Sequence, residues 1–140
     1  MRETPTIAGA ILAERLSRSE VFASLTEADL LAIAGFCHEE DYDEGQALLV
    51  EDKPADKLFV IERGKVALEK KVQLGRHSTP RNATIDYIGP GQVAGFSALV
   101  APYIYSTSVI CVEPTRAVVV DCVALRAYLA AHPAAGIETL

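Results

Sequence analysis

The sequence predicts a mainly β domain, an antiparallel roll or sandwich with helices at both ends. From Asp41 onward the apolar residues alternate with a period of two, and turn residues interrupt them at close intervals: Asp43-Glu44-Gly45, Asp52-Lys53-Pro54, Arg63-Gly64, Gly75 and Gly89-Pro90-Gly91. Most of these segments have no helical period between them, so the strands connect by turns and run antiparallel. Helical periodicity is confined to the stretches before Asp41 and after Asp121.

Taken in order, Thr6 caps a first helix in which Ile7, Ile11, Leu12, Arg15 and Leu16 form one stripe, ending near Ser17-Arg18-Ser19. Thr26, with Asp29 at the third helical position and Leu25 and Leu30 flanking, starts a second helix that reaches about Gly35. Leu30, Ile33, Ala34 and Cys37 share its buried face. Strands are predicted at Ala47 to Glu51, Lys57 to Glu62, Lys65 to Lys71, Ala83 to Ile88, Ser106 to Glu113 and Arg116 to Asp121, with a polar hairpin loop at Gly75 to Asn82. Asp121 caps a closing helix, Cys122 to Ala131, which His132-Pro133 stops. Pro133 opens a further short helix, Ala134 to Leu140, so the chain reads as the front part of something longer.

With 140 residues and 15.0 kDa, the chain makes one domain. It divides into N-terminal helices at 1–40, a β-roll at 41–121 and closing helices at 122–140. A net charge of -6 and a pI near 5.0 leave no general field for phosphate backbones, so direct nucleic-acid binding by this chain is not expected. Cys37, Cys111 and Cys122 are odd in number and outside any CxxC spacing, which fits a reducing cytoplasm. The run Ile7 to Ala13 is too short for a membrane span, and no targeting segment is read.

Functional interest centres on Gly91 to Val109, GQVAGFSALVAPYIYSTSV. Ala94-Gly95 permits a tight turn into a short helix at Phe96-Ser97-Ala98-Leu99, whose first N–H groups face outward as an anion site. Ser106 and Thr107 then lie across its mouth. Enzyme chemistry has no support: there is no GxSxG elbow, no Walker-type loop and no recognisable carboxylate or Cys/His spacing.

The order of these segments resembles the cyclic-nucleotide-binding domain family, especially the sensory half of Crp/Fnr-like bacterial regulators. The resemblance is carried by Phe22-Ala23-Ser24-Leu25, Asp29-Leu30, Tyr42 to Leu48, Glu51 to Ile61, Gly64-Lys65-Val66, Ile88 to Gly91, Gly95 with Ala98-Leu99, Asp121 with Leu125, and His132-Pro133. It implies a double-stranded β-helix jelly roll with a phosphate-binding cassette at residues 91–109. In that family the cassette reads FGE-x-A-L, then a proline and an arginine followed by Ser or Thr. The glutamate accepts from the ribose 2′-OH and the arginine pairs with the cyclic phosphate. Carried over, the glycine is Gly95, the glutamate position holds Phe96, the small and leucine positions are Ala98 and Leu99, the arginine position holds Tyr105 and the hydroxyl residue is Ser106. Both diagnostic charges are absent. Each charged hydrogen bond contributes on the order of 1.5 to 3 kcal/mol, so losing both weakens cyclic nucleotide binding by about a few powers of ten.

The candidate ligand-binding residues are therefore Gly95, Phe96, Ser97, Ala98, Tyr105, Ser106 and Thr107. Phe96 and Tyr105 either form an aromatic wall that stacks a planar ligand or fill the vacated nucleotide pocket as core. Ser106 and Thr107 either hold an anion or are ordinary exposed strand residues. Cys37-His38, at the end of the second helix, makes no metal or haem site, because adjacent residues diverge on a helix and no second pair has ligand spacing. Lys70, Lys71, Arg76 and Arg81 are the only basic clustering in the sequence and decorate one hairpin. No cofactor is assigned beyond a cyclic nucleotide or other small ligand in the cassette. The expected function is a regulatory small-molecule-sensing module. The alternatives are a ligand-free interaction scaffold that uses the terminal helices to pair with itself, as a homodimer, or with a partner, and the sensory half of a transcription regulator.

Overall fold

The computed structural model describes residues 7–133. Thr6 and the helix expected at Ala134 to Leu140 lie outside the described residues. Helix α1 (Ile7–Ser17) and helix α2 (Glu27–Ala34) lead into strands β1 (Cys37–Tyr42), β2 (Ala47–Leu49), β3 (Lys57–Arg63), β4 (Val66–Val72), β5 (Arg81–Ile88) and β6 (Val93–Ala94). A 3-10 turn, η1 (Phe96–Leu99), precedes β7 (Ser108–Cys111), β8 (Thr115–Asp121) and helix α3 (Cys122–Ala131). The strands form two four-stranded antiparallel sheets, ordered β1-β8-β3-β6 and β2-β7-β4-β5.

The two sheets face each other, and the helices cover the outer side of the first. That double cover explains the unbroken apolar runs of β3 and β8. Leu58 to Ile61 and Ala117 to Val120 are all buried, on both faces of the sheet, where a half-exposed strand would alternate. Leu16 of α1, Phe22, Ile33 of α2 and Leu125 of α3 close the same core from outside. Of the three predicted caps, the two among the described residues are formed. The Thr26 hydroxyl accepts from the Asp29 N–H at 3.2 Å, and the Asp121 carboxylate accepts from the Val123 and Ala124 N–H groups at 3.0 and 3.2 Å.

The structure departs from the expected elements in four places. The strands begin at Cys37, not Asp41: β1 reads CHEEDY, whose charges hide any apolar alternation, and it is a strand because it pairs with β8 from Cys37↔Val120 to Tyr42↔Thr115. Cys37 is consequently a strand residue and not a helix end, although its thiol still donates to the Ile33 carbonyl at 3.1 Å. Strand β6 is only Val93–Ala94, too short to leave a periodic signal. Finally, β7 is confined to Ser108–Cys111, so Ser106 and Thr107 precede it, while Arg81 and Asn82 belong to β5 and not to the hairpin loop.

Candidate functional site

The chain enters the cassette through Gly95, at φ +96°, a left-handed conformation that glycine adopts without penalty. A Cβ at this position would come within 2.9 Å of the Lys57 carbonyl oxygen and 3.3 Å of Leu49 Cδ2, so both space and dihedral require glycine. The turn seats η1 against the sheet, with Ala98 fully buried beneath it.

Tyr105 is buried, and its hydroxyl reaches the backbone at the start of β3. It donates to the Lys57 carbonyl at 2.7 Å and accepts from the Lys57 N–H at 3.2 Å. Burial pushes this phenol above its ordinary pKa, so it stays a neutral donor. The backbone around it is pinned as well: Asp52 N–H donates to Tyr105 O at 2.9 Å, and Tyr105 N–H to Lys53 O at 3.0 Å. Phe96, by contrast, is 36% exposed and lies at the rim. The two aromatics thus divide the roles considered for them: Tyr105 is core, and Phe96 remains at an open edge.

Between them is a cavity of about 160 Å³. Gly95, Phe96, Ser97, Tyr105, Ser106 and Thr107 line it, together with Leu49, Leu68, Val93, Ala94 and Val109. Six of the seven candidate residues therefore meet in one place. Ala98 does not reach the cavity; it supports η1 from below. The apolar lining residues come from β2, β4, β6 and β7 and could be found only from strand register, which a lone sequence does not supply.

Two polar anchors of the cassette, Glu51 and Arg126, were not among its candidate residues. Glu51, almost fully buried, accepts the Lys71 N–H at 3.0 Å and the Lys70 ammonium at 3.3 Å, while its own N–H donates to Ser108 Oγ at 2.9 Å. The Lys71 N–H, and then Lys70, hold its carboxyl below the ordinary glutamate range. Lys70 also donates to the Ser106 carbonyl at 2.9 Å, so it clasps the cassette and does not merely decorate the hairpin. The second anchor is Arg126 on α3. Its guanidinium donates to the Ala98 carbonyl at 2.6 Å and lies 4.0 Å from the centre of the Tyr103 ring.

The thiols offer no comparable chemistry, since burial pushes Cys37 and Cys122 up to about 12. Among the described residues no group of three His, Cys, Asp or Glu side chains is placed to hold a metal ion, and no helix is long and apolar enough to cross a membrane.

The sequence model of the cyclic nucleotide-binding domain matches residues 39–132. A CRP-like cAMP-activated global transcriptional regulator of Mycobacterium tuberculosis is 26% identical over 120 residues, which cover 86% of this chain and 51% of the regulator. The chain thus spans about half of that relative's length. Among solved structures, a candidate cyclic nucleotide-binding protein of Geobacter metallireducens superposes with a TM-score of 0.77 at 30% identity, covering 89% of this chain and 86% of the other. The regulatory domain of Toxoplasma gondii PKA, solved with cAMP, has a TM-score of 0.72 at 13% identity over 85% of this chain and 44% of its own, a likeness of fold.

Proposed function

This chain belongs to the cyclic nucleotide-binding domain family, and from that premise we propose that it is a regulatory module reporting the state of its cassette to the C-terminal helices. The roll from β1 to β8 is the sensing part, and α3 is the output. The observation that carries this reading is Arg126: one side chain on α3 holds both the η1 carbonyl of Ala98 and the ring of Tyr103. A ligand that moves η1 must therefore lengthen or remake that bond, which is the unequal contact with two states that coupling demands.

The ligand differs from cAMP and cGMP. A cavity of about 160 Å³ is below the roughly 300–1,000 Å³ of ordinary small-molecule sites. The position of the phosphate-pairing arginine is taken by a tyrosine already bonded to Lys57. A small, nearly neutral molecule bound by the Ser97 and Thr107 hydroxyls and the apolar lining fits better.

The first test is isothermal calorimetry of the 140-residue chain with cAMP and cGMP, alongside a Phe96→Glu/Tyr105→Arg double variant. The expected result is silence in the wild type and binding gained by the variant. Saturable wild-type binding would overturn the exclusion of cyclic nucleotides. A thermal-shift panel of small neutral metabolites then tests sensing itself, and silence across it sinks that part of the reading.

A second reading, a ligand-free scaffold, is favoured by the anchored Tyr105 and by Ile7 and Ile11, which are 82% and 42% exposed on α1. It requires a homodimer or a protein partner joined through the terminal helices. A strict monomer by light scattering, with melting unaffected by concentration, removes the homodimer form.

A further inference from the structure

A cleft larger than the cassette cavity lies elsewhere on the described residues. It lies where the end of α1, the end of β3 and the Pro90-Gly91 turn meet. Its volume is about 620 Å³, inside the roughly 300–1,000 Å³ typical of small-molecule sites. Four guanidiniums line it: Arg15, Arg18, Arg63 and Arg116. They come from three separate stretches of a chain whose net charge is -6, the end of α1, β3 and β8, which is why no basic run announces them.

Their arrangement has a cost that packing does not explain. Arg63 and Arg116 are direct cross-strand partners on β3 and β8, and like charges placed opposite each other destabilise a sheet. On the other flank of Arg116, Asp41 is its cross-strand partner on β1 and approaches the guanidinium to 3.2 Å, with Glu39 at 3.6 Å. Arg15 pairs with Glu39 and, at 3.3 Å, with Glu62; Arg18 pairs with Glu14 at 2.6 Å. The Arg63 guanidinium has no ion pair and no side-chain hydrogen bond among the described residues, although its backbone belongs to the β3–β8 ladder.

The backbone is shaped to place it there. A register shift between Ile61 and Arg63 inserts Glu62 as an extra residue, so that Glu62 and Arg63 both face the cleft. Bulges of this kind re-aim side chains at sites. The walls are tied together as well: Gly91 N–H donates to Ile61 O at 2.8 Å, Ile61 N–H to Gln92 O at 3.0 Å, and Glu20 N–H to Gly91 O at 3.0 Å. The cleft is thus held open before any ligand arrives.

We propose that this cleft is a second ligand site, for a small molecule carrying at least two anionic oxygens, phosphate or carboxylate, gripped between Arg63 and Arg116. A guanidinium pair of this kind offers two forks to one oxyanion group. Arg15 and Arg18 supply the flanking field. Bound, the anion gives Arg63 the counter-charge it lacks, beside an Arg116 that already faces Asp41 and Glu39. The site is independent of the cassette reading, because none of its lining residues contributes to the cassette cavity.

Thermal-shift and calorimetric titrations of the full chain with pyrophosphate and with citrate, against sodium chloride of equal ionic strength, test it. Wild type is expected to give a saturable rise in melting temperature with at least one probe, and the tighter probe assigns the headgroup. Arg63→Gln is expected to weaken that binding about tenfold or more, with Arg63→Lys between the two. Without ligand, Arg63→Gln is expected to melt about 1–3 °C higher, because it removes a like-charge pair. The Phe96→Glu/Tyr105→Arg variant is expected to bind the probes as wild type does. The proposal is overturned if neither probe exceeds the salt control, if Arg63→Gln binds as tightly as wild type, or if ligand-free Arg63→Gln melts lower, which would assign Arg63 a structural role.

Discussion

Replacing Tyr105 by phenylalanine removes a single oxygen and leaves the ring in place. That oxygen makes two bonds to Lys57, a donation at 2.7 Å and an acceptance at 3.2 Å. A neutral hydrogen bond contributes a net of about 0.5–1.5 kcal/mol, and the longer one counts toward the bottom of that range. Lys57 is exposed as a residue, so water can replace part of what is lost. The expected cost is therefore about 1.5 kcal/mol, or roughly a 5 °C fall in melting temperature for a domain of this size. Equilibrium urea unfolding measures it, with an unchanged m-value showing that the two-state comparison is sound. A loss below about 0.5 kcal/mol would refute the argument, since the hydroxyl would then not hold the ring across the cassette.

Arg126→Ala removes a charged donor from the buried Ala98 carbonyl and a cation from the Tyr103 ring; it is expected to cost about 2 kcal/mol, with hydrogen exchange of η1 rising more than that of β3. Gly95→Ala brings a Cβ to 2.9 Å from the Lys57 oxygen at φ +96° and is expected to cost about 1–3 kcal/mol in urea unfolding. Glu51 has a folded-state pKa below its ordinary 4.5, so its stabilisation is present above that value and lost as pH falls through the folded-state one. Glu51→Gln should accordingly be less stable than wild type at pH 7 and closer to it near pH 3, read from melting temperatures across that range.

Most of the fold was legible because its signals are local. Thr26 and Asp121 announce their helices by capping chemistry, and turn residues bound the strands at Lys57 to Glu62 and Arg116 to Asp121, although Leu58 to Ile61 and Ala117 to Val120 are buried throughout and do not follow the expected alternation. Strand β1 was not legible as a strand, since Glu39, Glu40 and Asp41 are there for pairing with β8 and with Arg15 and Arg116, partners distant in sequence. The cassette was legible in outline from Gly95 and Phe96. Its fastening was not, because Lys70 looks like any hairpin lysine until β4 lies beside Ser106. The arginine cleft was least legible of all, as its members are scattered from Arg15 to Arg116.

The anchoring of Tyr105 also sets limits on any cassette ligand. A molecule that fits about 160 Å³ binds without disturbing the tyrosine. A larger one must first break its two bonds to Lys57, and at about 1.5 kcal/mol that costs roughly tenfold in affinity. Displacing Tyr105 also pulls on Asp52 and Lys53, whose backbones bond it at 2.9 and 3.0 Å, and on Tyr103, whose carbonyl accepts from Ala55 N–H at 2.8 Å. Tyr103 is the residue beneath the Arg126 guanidinium. The side chain that keeps the pocket small is therefore two residues from the contact with α3. A ligand large enough to need Tyr105 moved carries an affinity penalty, and under the coupling proposed above the same motion would reach α3 through Tyr103. A ligand small enough to leave it in place must act on α3 through Ala98 and η1 instead. Arg126→Ala therefore discriminates between large and small occupants. With a small occupant it should uncouple ligand binding from exchange protection in α3 while leaving affinity within about threefold, because no Arg126 atom lines the cavity. With a large occupant it should also raise affinity, since the loop holding Tyr105 would be easier to displace.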